Sequence, residues 1–500
     1  MRNRKMALGL GGLLAMGFGA GLTGTSCGGD DTEVPSGSPT TTTGSSTTSE
    51  TSGTGGTQGT GGDTGSGGTA GTSNDDGGGG EKVRLYEDIT TNTTWTADKV
   101  YVIPRLKQLF VKGGATLTIE PGTVIQGEQG AVLVITRGSK IMAVGTKEKP
   151  IVMTSAQPVG MKTPGLWGGL LVLGAAPINN NKLSMPTSDE AVFEAFSSAI
   201  PEGKFGGTDP HDDSGTIKYV RIEFGGYNFM TDREFNNLTL CGVGDKTVVD
   251  FVQVHHGSDD GIEFFGGTVN AKHIVSSQNE DDGFDTDNGW EGKAQFVIVQ
   301  NLFPHGATEA SNGYESDNHG TEASWRADPR TLPTVYNVTV LGLKDYDRTS
   351  YAAVLRRGTG GKYYNHIFMN FPLGIEVRDT ATLEQLMANN LFIKNSIFFH
   401  NAVDNNNWPA PQAMNDIVEK DWFEKAEWNN RQVDPGLPGE AFSPASPNFK
   451  PAAGAAALTG GAMPPDDGFF DPTATFVGAV GPEDWTAGWT AYPQTPPQTP

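Results

Sequence analysis

Carboxylates recur in register along residues 249–320, and register is what lets side chains act together. Asp259-Asp260-Gly261-Ile262-Glu263 returns as Asp281-Asp282-Gly283-Phe284-Asp285. Gly313-Tyr314-Glu315-Ser316-Asp317 then repeats Gly283-Phe284-Asp285-Thr286-Asp287. Stacked carboxylates repel, so such a column needs a cation, protons or nearby arginines to offset it. Calcium takes roughly six to eight oxygen ligands, and it is the cofactor this pattern would hold. Asp259, Asp260, Asp281, Asp282, Asp285, Asp287, Glu315 and Asp317 are the candidate ligands.

A second chemistry is a catalytic carboxylate pair. If the acids stack on neighbouring strands they stand about 5 Å apart, and Asp285 and Asp287 on one strand about 6.6 Å. Both spacings fall in the range of glycosidase pairs, although any acidic ladder on stacked strands yields them. A polysaccharide lyase would also need a proton acceptor, for which Arg356, Arg357 and Arg378 are placed a coil or two along, though arginine seldom gives up its proton. Trp290 and Trp325 flank the ladder as candidate platforms for sugar rings, with packing an equal reading. The plainest reading of the acids is a solvated face whose Asp-Gly pairs make good corners.

The elements that must position these side chains follow from the repeat. A period of 20–30 residues marks a solenoid. Within each copy, apolar Ile262, Phe284, Tyr314, Val354 and Ile375 alternate with Glu263, Asp285, Glu315, Leu355 and Glu376, which is the period of a β-strand. A second outward column reads Phe265, Asp287, Asp317, Arg357 and Arg378. The prediction is an all-β chain, a right-handed parallel β-helix with the apolar column inside and the acidic column on its outer surface. Asn337, Asn365 and Asn395 align in later coils, and their side chains are expected to bond to one another up a column. Cys241 lies in an apolar run and is expected to be buried and inert.

The ends give the organisation. Residues 1–26 have a basic start and a short Gly-broken apolar run, as in a secretory signal, and Cys27 sits where a lipoprotein is lipidated. Residues 27–80 are almost entirely Gly, Ser, Thr and Asp with little to bury, a disordered tether averaging roughly 40 Å end to end. Residues 81–114 are expected to cap the solenoid, 115–401 to form it, with an insertion near 179–216, and 402–500 to form a C-terminal cap and tail. Short helices are expected at Ala191–Phe196 and over Asp416–Arg431. A net charge of −23 argues against nucleic acid as a partner.

Several segments together resemble one family. Trp167-Gly168-Gly169-Leu170, Tyr219-Val220-Arg221-Ile222-Glu223-Phe224-Gly225-Gly226, Asp259 to Gly267 and the closing Asp484-Trp485-Thr486-Ala487-Gly488-Trp489 are similar to secreted or lipid-anchored bacterial proteins with a β-helix of the pectate-lyase type. The resemblance spans roughly 85–490 and implies fold and export, with no activity attached. The expectation is therefore a lipid-anchored module at the outer membrane or cell surface, binding a polysaccharide or surface partner or serving structurally. The alternative is a carbohydrate-active enzyme working on an acidic polysaccharide.

Overall fold

In a computed structural model of the full chain, residues 80–179, 190–229, 233–302, 311–343, 350–402, 407–408 and 417–496 are described. The proposed signal, Cys27 and nearly all of the tether lie outside them. The described strands stack as coils of a parallel β-helix. A front sheet runs through Gln108–Val111, Val132–Ile135, Leu170–Leu173, Leu238–Val243, Ile262–Gly267, Phe284–Asp287, Tyr314–Ser316, Tyr351–Leu355 and Leu373–Val377. Every pairing within it is parallel.

The other two sides of each coil are joined at a corner of one residue. Lys218 pairs with Asp250 and Val220 with Val252, while Tyr219 (φ 49°) and Phe251 (φ 53°) stand between them in the left-handed region. His273, Phe296, Asn337 and Asn365 hold the same corner, with φ of 53°, 60°, 55° and 61°. Asn395 is left-handed as well. In an earlier coil this corner is a loop. Lys140–Val144 and Ile151–Ser155 are separate strands, and both pair with the single strand Gly215–Glu223.

Inside the coils run stacked Val, Ile, Leu and Phe side chains, among them Leu133, Leu170, Leu238, Ile262 and Phe284. Burying one such side chain stabilises the fold by about 1.5–3 kcal/mol. Further apolar clusters lie outside the coils, two of them formed with other parts of the chain. Phe193, Phe196 and Phe205 of the insertion cover Phe110, Val134, Leu171 and Phe265 on the front sheet. The C-terminal segment lays Val477, Ala479, Val480 and Trp489 over Val275, Ile298, Leu341 and Ile367 on the opposite side.

Some expectations are corrected. Stacking begins at Glu81, which already pairs with Lys99, so 81–114 supplies coil strands and not a separate cap. Ala191–Val192 is a strand antiparallel to Lys204–Phe205, because both edges must present aromatics to the sheet below. The helix expected over 416–431 is only Glu419–Phe423 followed by a short 3-10 turn at Ala426–Trp428; residue 416 lies outside the described residues. The asparagine column does not bond to itself at the two corners where side-chain bonds are seen. Asn337 Nδ2 donates to the Phe476 carbonyl (2.7 Å), and Asn365 Nδ2 to that of Ala462 (2.8 Å). Asparagine tolerates the left-handed corner, and there its amide faces the C-terminal segment.

Asn337→Ala should therefore destabilise the protein by about 2–4 kcal/mol, from the strained corner and the lost bonds to the C-terminal segment. Asn337→Gly, free of the corner strain, should cost less. Urea unfolding midpoints of the two variants would check this.

Candidate cation site on the acidic strip

The outward side of the front sheet changes character along the solenoid. One column reads Phe110, Val134, Leu171, Thr239, Glu263, Asp285, Glu315, Val354 and Glu376. Its apolar start lies under the insertion, and it turns acidic at Glu263. Ala353, not Val354, continues the inward column from Tyr314 to Ile375. Tyr351-Ala352-Ala353-Val354-Leu355 is apolar at every position, so alternation could not fix its phase. The same slip places Arg356, whose N–H donates to Ser316 O (3.0 Å), beside Asp317 in the second outward column, and Arg357 falls at the left-handed corner beyond it.

These acids point away from the axis but are not solvated. Glu263, Asp285, Asp287, Glu315 and Asp317 are each at most 8% exposed. Asp259 and Asp281 are only partly buried. The outer face read from sequence as solvated is thus an enclosed acidic strip.

The second Asp of each corner pair has a structural duty. Asn236 Oδ1 accepts the Asp260 N–H (3.2 Å), Asp260 Oδ1 the Asp282 N–H (2.9 Å), Asp282 Oδ1 the Asn312 N–H (2.8 Å) and Asn312 Oδ1 the Tyr351 N–H (2.9 Å). Asparagine performs this duty in the flanking coils without a charge. The carboxylates at 260 and 282 therefore add charge that the ladder itself does not require.

At one end the charge converges. Ligand oxygens of Asp260, Glu263 and Asp285 all lie within 4.8 Å of one another, as do those of Asp259, Asp260 and Asp281. Asn236 Nδ2 donates to Glu263 Oε2 at 2.5 Å. Burial first, and then the neighbouring carboxylates, push Asp260, Glu263 and Asp285 well above the usual carboxylate range. Asp282 is pushed up in the same way, by burial and then by Glu315.

At the other end arginines supply the balance. Arg356 donates through Nε to Asp317 (3.0 Å) and through Nη2 to Glu315, and Arg357 Nη1 lies 2.7 Å from Asp317. Burial works against the Arg356 charge, but Asp317 and Glu315 outweigh it and hold the guanidinium above its ordinary pKa. The sequence-predicted acids thus divide into an uncompensated group around Asp260 and Asp285 and a compensated group at Glu315 and Asp317. Glu263 was not among the ligands expected from sequence, although it stands one coil before Asp285 in the same column. Asn236 and Asn312 were missed too. Each lies two residues before an inward apolar residue, as do Asp260 and Asp282, and that offset was the available signal.

A sequence model of the pectate-lyase-like beta helix domain matches residues 87–490. The chain belongs to that family. No curated protein and no solved structure matches it.

Within this pectate-lyase-like β-helix, several catalytic and ligand-stacking expectations change. Arg357 is no proton acceptor: burial opposes its charge, yet Asp317 raises its pKa, the reverse of what a base requires. Arg378 lies over the Tyr351 ring, 5.3 Å from its centroid, with Nε 3.6 Å from Glu376. Trp290 cannot stack on a ligand. It is fully buried, stacked at 4.2 Å on Phe264, with its indole N–H donated to Val269 O (3.0 Å). Trp325 remains half-buried, in a turn seated against the Arg357 corner. Asp285 stands between Glu263 and Glu315 in its column, and Asp287 stands beside Asp317 in the other. Cys241 is buried, its thiol pushed well up by burial and then by Glu263.

Proposed function

We propose that this protein is an exported, lipid-anchored β-helix that holds a calcium ion on its acidic strip and through it binds an acidic polysaccharide or another anionic surface partner. One observation carries the reading. Asp260, Glu263 and Asp285 converge out of water, and among the described residues no lysine or arginine pairs with any of them. An uncompensated buried carboxylate is costly, so the group must take up protons or a cation. Its donors are all oxygen, the set a hard cation prefers, and the lax geometry of calcium suits an irregular cluster. Asp259 and Asp281 stand at the partly exposed rim of the same corner. The anchor at Cys27 and the tether would hold this face clear of a membrane.

Calcium added after EDTA should raise the melting temperature at pH 7.5. At about a hundredfold excess over its dissociation constant the gain is about 2.7 kcal/mol, on the order of 3–6 °C. The sign with pH is fixed by the raised carboxyl pKa values. The folded state holds protons that the unfolded state has released, so in EDTA this group's contribution to stability falls as pH rises above the ordinary carboxylate range. Calcium competes with those protons, and its shift should shrink toward pH 5. A shift that is absent at pH 7.5, or that survives in Glu263→Gln/Asp285→Asn, rules the site out.

Carboxyls with raised pKa also suit a general acid, so cleavage of an acidic polysaccharide is the second reading. Product formation that vanishes in Asp285→Asn while binding persists would favour it.

A further inference from the structure

Among the described residues, two N–H donors at the far end of the strip have no acceptor. His319 is 3% exposed, and its Nδ1 accepts the Thr321 N–H at 2.9 Å. In the neutral ring the proton therefore sits on Nε2, which is buried without a hydrogen-bond partner. Burial, and then the positive charge of Arg357, disfavour a second proton on the ring. The Trp325 indole N–H, in the same turn, is likewise buried without a partner. Leaving such a donor unpaired is costly, so a turn with two of them calls for an acceptor.

The turn is held against the Arg357 corner. Asn318 Nδ2 donates to Trp325 O (3.2 Å) and Ala327 O (3.0 Å). Arg330 Nη1 bridges Trp325 O (3.2 Å) and Gly358 O (2.6 Å). A Cβ on Gly358 would meet Trp325 O at 1.9 Å, so the Trp325 carbonyl lies directly on the backbone beside Arg357. Arg357 keeps its charge, its side chain is 20% exposed, and it shares Asp317 with Arg356.

We propose that His319 Nε2–H, Trp325 Nε1–H and Arg357 form an oxyanion subsite, for a carboxylate or sulfate group carried on a glycan. It rests on the binding role proposed above and names the chemistry of the ligand. Nitrogen donors and a guanidinium recognise oxyanions by charge-assisted hydrogen bonds, and the half-buried Trp325 ring would face the sugar that carries the group. No bond forms or breaks.

The test is an imidazole 15N–1H spectrum of the whole protein labelled at histidine, recorded in EDTA so that the result is independent of calcium. His319→Phe assigns the His319 signal, and the unaltered protein carries the measurement. Acetate or methyl sulfate at millimolar concentration should shift the His319 Nε2 signal, and the more effective of the two identifies the group. Glucose at the same concentration should leave it in place, and Arg357→Gln should weaken the response at least tenfold. No shift with either anion, or an equal shift with glucose, overturns the subsite. A calcium effect on melting without an anion effect on His319 would leave the cation site standing and sink only this inference.

Discussion

Arg356→Met should destabilise the protein by about 3–5 kcal/mol, because it leaves Glu315 buried without its ion pair and Asp317 with Arg357 alone. Calorimetry or urea unfolding at neutral pH would measure it. Much of the loss should return in Arg356→Met/Glu315→Gln/Asp317→Asn, since neutral partners need no counter-charge. Recovery would show that the arginine acts by compensating the acids, and its absence would assign the cost to packing of the Arg356 stem. Arg356→Lys should recover only part, since an ammonium cannot reach both carboxylates with the geometry of a planar fork.

A second large effect is expected at Trp290. Trp290→Ala removes a ring stacked on Phe264 and 6.0 Å from the Phe284 ring, in the interior directly behind the strip. The expected cost is about 3–5 kcal/mol, of the size seen for large core aromatics. Trp325→Ala should cost far less, because its ring is only half-buried. Unfolding midpoints of the two variants measured together would check the contrast. Equal losses would contradict the assignment of Trp290 to the core and Trp325 to the rim.

The architecture was legible in the sequence because it is written in period and repeat. The Asp-Asp-Gly corners, the inward column from Ile262 to Tyr314 and the parallel stacking follow from residues whose spacing admits little else. Legibility failed where a local pattern lost its contrast or where distant chain decides the outcome. The apolar run at 351–355 carries no alternation, so Arg357 was given the place that belongs to Arg356. Enclosure of the strip depends on what lies over it, which no repeat encodes. Trp290 follows a Gly in a polar turn, where sequence leaves ligand stacking and packing equally open, and the turn brings its ring inward. The corner asparagines were seen, and their partners in the C-terminal segment, 97 to 139 residues away, were not.

That segment changes how the molecule would bear load. In a plain solenoid each coil touches only its neighbours, so structure is lost from the ends inward. Here Gln253 holds Ala491 through both its amide atoms, Gln295 holds Asp471, Asn337 holds Phe476 and Asn365 holds Ala462. Tension applied at the C-terminus therefore reaches the coil of Gln253 before the last coil opens, and the stack resists peeling as a laced bundle does. That lacing spreads a pull on the C-terminus across several coils.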